Sequence, residues 1–170
     1  MEYIIDIDNL EFVGAGGHGQ VYKIKNAEIA IKRSKHERIN LIKEGEILQS
    51  LQSVKYFPRL YLFSSELIVM EYIQGTPLST WLMDGNEITD NIIQQINDAF
   101  KLCLLQGVYP VELEPDHIIL NNGNIRIIDL GMYKRVELIN NPIIIQFTLD
   151  KFKKRFLHWI YHWSNLEKIN

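Results

Sequence analysis

Residues 10–24 read LEFVGAGGHGQVYKI and residues 28–34 read EIAIKRS, and together they limit the fold more than any other stretch. Apolar and polar residues alternate on both sides of a glycine cluster, as in two strands joined by a tight turn. A third short strand follows almost at once. The glycines lead into the strand-like QVYKI and not into a helix, which disfavours a doubly wound dinucleotide-binding loop.

Further on, KHERINLIKEGEILQSLQ (residues 35–52) reads as a loosely amphipathic helix, and LYLF and ELIVMEYI as two more strands. After QGTP the character changes. PLSTWLMD is expected to be a short helix with Pro77 in its first turn. DNIIQQINDAFKLCLL repeats apolar residues at helical spacing, with Thr89 or Asp90 as N-cap. HIIL and IRII flank Asn122-Gly123, the signature of a tight hairpin. TLDKFKKRFLHWIYHWSNL closes the chain as a final helix, with Thr148 as its expected N-cap. The fold class is therefore α+β: a β-rich lobe with one helix, about residues 1–73, and a mainly helical lobe, about 74–170. The two are expected to form one domain, joined near Gln74-Gly75.

With 170 residues, 46% of them apolar, such a chain can bury a real core. Net charge is −3 and the basic residues are dispersed, so no nucleic-acid footprint is expected. The lone cysteine, Cys103, lies in an apolar helical pattern and reads as a buried structural thiol. The acidic start MEYIIDIDNLEF lacks the marks of a signal peptide, and no run approaches a membrane span. A cytoplasmic protein with no membrane partner is expected.

The glycine cluster contains G-x-G-x-x-G-x-V at Gly14, Gly16, Gly19 and Val21. Glycines there let backbone N–H groups approach phosphates with no Cβ in the way. Lys32 ends the strand IAIK, and Glu44 lies on the next helix, with Glu46 as a neighbouring candidate to pair with it. The series glycine hairpin, strand lysine, helix glutamate, VMEYIQG, long helix, loop, hairpin and IRIIDLG resembles a protein kinase. It is specifically similar to the small eukaryotic-like kinases of bacteria, over roughly residues 11–135.

The resemblance implies ATP binding with Mg²⁺, or Mn²⁺, as cofactor. Gly14, Ala15, Gly16, Gly17 and Gly19 would cover the phosphates, and Lys32, held by Glu44, would contact them. Val21 and Ala30 would sandwich the adenine, with Met70 behind it and the Glu71 carbonyl and Ile73 N–H at its edge. Asp129 would hold the metal, joined by His117.

Three departures stand out. The loop H-R-D-L-x-x-x-N becomes PVELEPDH, with Pro110, Val111, Glu112 and His117 at the four distinctive positions. Glu112 keeps a carboxylate to accept a hydroxyl proton. His117 offers an imidazole where a hard oxygen is usual, and a polar hairpin-end histidine is an equal reading. Glu114 replaces a basic residue, which should raise nearby carboxylate pKa values or draw in a cation. No A-P-E sequence follows Gly131, so the usual peptide-docking platform is expected to be missing.

Phe152, Phe156, Trp159 and Trp163 recur at helical spacing beside Lys151, Lys153, Lys154 and Arg155. They are expected to close the core of the second lobe. The alternative is a basic aromatic helix that touches nucleic acid or an anionic membrane. The function expected is a weak, autophosphorylating serine/threonine kinase acting on a protein. The alternatives are a pseudokinase that regulates a protein partner and, third, a small-molecule phosphotransferase.

Overall fold

The computed structural model describes residues 7–17, 19–36, 39–111, 113–137 and 141–166, with the side chains of residues 7 and 162–166 left aside. The alternating segments form β1 (Leu10–Ala15), β2 (Gly19–Ile24) and β3 (Ile29–Ser34). With β4 (Leu60–Phe63) and β5 (Leu67–Glu71) they make an antiparallel sheet in the order β1-β2-β3-β5-β4. The central strand β3 is covered on both faces, so Ala30, Ile31 and Lys32 are all buried.

Helix α1 (Ile42–Ser50) packs against β4. It is shorter than the span 35–52 read from the sequence. Asn40 Oδ1 accepts the Ile42 N–H at 2.9 Å, and the Ile39 N–H bonds to the His36 carbonyl. These local bonds compete with helical ones and delay the start.

The second lobe opens with β6 (Thr76–Pro77) and α2 (Leu78–Met83). Pro77 precedes α2 as its extended N-cap residue and does not sit in the first turn. Gly75 has φ +147°, and a Cβ there would lie 2.3 Å from the Leu120 carbonyl oxygen, so only glycine lets the connector pass so close. Helix α3 (Asp90–Leu105) starts as expected, with Thr89 Oγ1 accepting the Ile92 N–H. It buries Ile92, Ile96, Ala99, Phe100 and Cys103, and burial pushes the Cys103 thiol pKa far up, in keeping with a structural thiol.

After β7 (Val108–Tyr109) comes the hairpin of β8 (Ile118–Asn121) and β9 (Asn124–Ile127), which joins β6 in a three-stranded sheet. Asn122 and Gly123 both have positive φ, the type I′ geometry that suits a hairpin's twist. Strand β10 (Lys134–Arg135) pairs with β7.

Helix α4 runs from Pro142 to Leu166. It starts six residues before the expected cap, since Asn141 Oδ1 accepts the N–H groups of Ile143 and Ile144 and Pro142 fits the first helical position. Thr148 is inside the helix, its hydroxyl donating to the Ile144 carbonyl. Ile145, Phe152, Phe156 and Ile160 are buried, whereas Trp159 is half-buried. The inward stripe is thus rotated from the one read in the sequence, and the Trp163 side chain lies outside the described residues. Phe152 packs on Phe100 with ring centroids 3.9 Å apart, so Phe152 and Phe156 close the core. Among the described residues no helix is long and apolar enough to cross a membrane.

Candidate active site

Strand register gathers the first group of residues. Val21 stands opposite Lys32, and Ala30 opposite Met70. Cross-strand partners and residues two apart share a face, so Val21, Ala30, Lys32 and Met70 project from one side of the sheet. Glu71 follows at the end of β5, with Ile73 in the connector just beyond the sheet.

The glycine turn closes through a bond from the Gly16 N–H to the Gly19 carbonyl, at 2.9 Å. A Cβ on Gly19 would lie 2.6 Å from the Arg33 carbonyl oxygen, while one on Gly14 or Gly17 would meet nothing within 4 Å. Gly16 faces the second lobe, where a Cβ would come 3.8 Å from Asp129 Oδ2. The turn thus overhangs the Asp129 carboxylate.

Lys32 is 3% exposed and its ammonium is fully engaged. It donates to Glu44 Oε1 and Oε2 at 2.8 and 2.9 Å and to Asp129 Oδ1 at 2.8 Å. The rival residue Glu46 is exposed, so Glu44 is the partner. Glu44 also accepts the Leu130 N–H at 3.3 Å, which ties α1 to the segment after the hairpin. Burial works to lower the Lys32 pKa, but the charges of Glu44 and Asp129 outweigh it and hold the ammonium above its ordinary value.

Asp129 adopts φ +58°, a left-handed conformation that few residue types other than glycine enter readily. Burial works to raise its pKa, but the Lys32 ammonium, with lesser help from His117, holds it below the ordinary value. Of the two expected consequences of the extra acidic residues, raised carboxyl pKa values or an attracted cation, the first does not hold for Asp129. The Lys32 ammonium is bonded to this carboxylate at 2.8 Å.

His117 ends a short turn, Pro115–His117, whose geometry is pinned on three sides. Its N–H bonds to the Glu114 carbonyl, its carbonyl accepts the Ile128 N–H, and Ser79 Oγ donates to Asp116 Oδ1. His117 Nε2 lies 3.9 Å from Asp129 Oδ2, and its buried Nδ1 has no hydrogen-bond partner among the described residues. Glu112 lies outside the described residues. Of its neighbours, Leu113 is buried and the Val111 carbonyl accepts from Arg155 of α4 at 2.5 Å.

Sequence reasoning missed Arg126. From β9 it pairs with Glu71 through two bonds of 3.1 and 2.6 Å and also donates to the Phe57 carbonyl. A basic residue inside the apolar run IRII was the available signal. The hydrogen bond from Arg126, aided by the Arg59 N–H, holds the Glu71 carboxyl below its ordinary value of 4.5. A group depressed in this way stabilises the fold fully above its unfolded pKa, and loses that contribution as pH falls through the folded value. The stability difference between wild type and Glu71→Gln should therefore be flat above about pH 5.5 and shift against the wild type in more acid solution. Denaturation midpoints across pH 3–8 would check this, and a difference that changes near neutrality would refute it.

A family profile described as the protein kinase domain matches residues 7–149. The chain belongs to that family. Its members use ATP and a divalent metal in general. Over 134 residues this kinase-family chain is 26% identical to a Bacillus subtilis protein whose name marks it provisionally as serine/threonine-protein kinase YrzF, covering 76% of this chain and 62% of that one. It is 28% identical over 138 residues to CBL-interacting serine/threonine-protein kinase 19 of Arabidopsis thaliana, covering 71% and 29%. It is 27% identical over 151 residues to serine/threonine-protein kinase Pkn1 of Myxococcus xanthus, covering 72% and 21%. The chain spans less than two thirds of each relative's length.

Proposed function

We propose that this chain is a minimal serine/threonine protein kinase, slow and able to phosphorylate itself, that uses metal-bound ATP. One observation carries the reading: a buried lysine holds two carboxylates from distant parts of the chain, each at 2.8 Å. Such a pair of ionic contacts is costly to bury and is poised for charge handling. Phosphoryl transfer depends mainly on positioning and charge neutralisation, which these residues can supply.

In this reading the glycine turn covers the phosphates and the face formed by Val21, Ala30 and Met70 takes the adenine, with the Glu71 carbonyl and Ile73 N–H at its edge. Lys32 exchanges its Asp129 contact for phosphate oxygens. Asp129 would hold the metal, and Glu112 would accept the proton of a protein hydroxyl. One ammonium against two carboxylates leaves a surplus of negative charge, which suits a divalent cation. Asp129 Oδ2, which faces His117 and Gly16 and has no hydrogen bond among the described residues, offers a donor. Among the described residues no group of three or more His, Cys, Asp or Glu side chains gathers, so the ion would complete its shell with phosphate and water. When bound it would neutralise charge on the phosphates.

The donor set favours Mn²⁺ over Mg²⁺, because imidazole is a poor ligand for Mg²⁺ and a better one for first-row transition ions. Phosphate incorporation and nucleotide affinity should both be higher with Mn²⁺, and His117→Asn should turn the preference toward Mg²⁺. Equal preference before and after the substitution would exclude His117 from the metal site.

The substitutions at Pro110, Val111, Glu112 and Glu114 favour a second reading, a pseudokinase that responds to nucleotide and acts on a protein partner. Two measurements separate the readings. Nucleotide at a hundred times its dissociation constant should stabilise the fold by about 2.7 kcal/mol in either case. Labelled ATP should then mark the protein over hours only if it is an enzyme. Binding without incorporation would establish the pseudokinase.

A further inference from the structure

Helix α1 carries a buried glycine in its interior, a position where glycine weakens a helix relative to alanine. A Cβ on Gly45 would lie 2.3 Å from Cδ2 of Phe63, 2.4 Å from its Cγ and 2.8 Å from its Cβ. Turning the ring cannot clear the last contact, since the Phe63 Cβ is fixed to strand β4. Phe63 pairs with Ile68 of β5, and Ile68 stands opposite Lys32 on β3. The strand that bears on Gly45 is therefore two strands from the lysine that the helix must reach.

Glu44 is the adjacent helical residue. Its bonds to Lys32, at 2.8 and 2.9 Å, and from Leu130, at 3.3 Å, leave no slack. Restoring ordinary contact at position 45, 3.4 Å or more, needs the helix or the strand to move by about 1 Å. A movement of that size by the helix, away from Lys32, takes these bonds beyond hydrogen-bond distance.

We propose that Gly45 is a positioning residue: its missing side chain lets α1 lie close on Phe63, and that closeness holds Glu44 on Lys32. The consequence for nucleotide rests on the kinase reading above; the consequence for the ion pair does not. Helix propensity and positioning oppose each other here. Gly45→Ala should improve the helix by itself while detaching Glu44.

The test uses Gly45→Ala, Phe63→Ala and the double variant in the full chain, with two readouts. The first is affinity for Mn²⁺ with a non-hydrolysable ATP analogue. Gly45→Ala should weaken it by about tenfold or more, since Lys32 loses the partner that pre-organises it for the phosphates. Adding Phe63→Ala should restore affinity to that of Phe63→Ala alone. The second readout needs no nucleotide: the coupling between Lys32→Met and Glu44→Gln in denaturation midpoints. Coupling should be present in wild type, absent in Gly45→Ala and restored in the double variant. A merely structural glycine would lower the midpoint and leave both affinity and coupling unchanged in the folded protein, which overturns the proposal. Should Gly45→Ala not fold, the double variant decides: recovery of folding and coupling supports the proposal, and folding without coupling overturns it. If the wild type binds no nucleotide, the kinase reading fails, and the coupling measurement still decides this one.

Discussion

Asp129→Ala should eliminate phosphate incorporation, with a loss of at least about a hundredfold, since it removes the carboxylate proposed to hold the metal beside the phosphates. The residue is well suited to a large effect. It is the point where the second lobe meets Lys32, at 2.8 Å, and its second oxygen faces both the glycine turn and His117. Asp129→Asn keeps the shape and loses the charge, so it should lose nearly as much activity while keeping the fold. Lys32→Ala is the companion measurement. It strands Glu44, 8% exposed, without its partner, and should cost about 3–5 kcal/mol of stability in addition to nucleotide binding. Incorporation that persists in Asp129→Ala would mean a contaminating kinase or a misplaced site.

Phe152→Ala should be among the most damaging changes to stability, at about 3–5 kcal/mol, because it opens a cavity where α4 meets α3. Phe152 is 5% exposed and its ring packs on those of Phe100 and Phe156. In a chain of this size the loss corresponds to a melting shift of roughly 6–20 °C. Trp159→Ala should cost less, since that side chain is half-buried beside Leu113 and Arg155. An unchanged melting temperature in Phe152→Ala, with a partner or lipid interaction lost, would show that this face of α4 is an interface.

The order of elements was legible because its signals are local. Alternation marks β1 to β3, the Asn122-Gly123 turn marks the hairpin, and Thr89 marks the start of α3. The family series of glycines, lysine, glutamate and aspartate could likewise be read without coordinates. Where the reading slipped, a short-range competitor had won. Asn40 holds the chain just before α1 and Asn141 caps α4, and such bonds to residues two positions on outweigh a long but loose apolar pattern.

By itself the sequence determined which residue types were available and in what order: a lysine on a strand, a glutamate one helix later, an Asp-Leu-Gly after a hairpin. It could not determine that Lys32 would meet Glu44 and Asp129 together, because that junction closes over separations of 12 and 97 residues. Nor could it rank Glu44 above Glu46 on any ground but spacing, or show that Glu71 would be claimed by Arg126. Those choices belong to packing. Gly45 shows why: its side-chain hydrogen is unremarkable in the sequence and becomes a requirement only when Phe63 arrives from a strand folded against it. Long-range contacts are settled by which surfaces can approach closely enough to exclude water, and a one-dimensional pattern carries no measure of that distance.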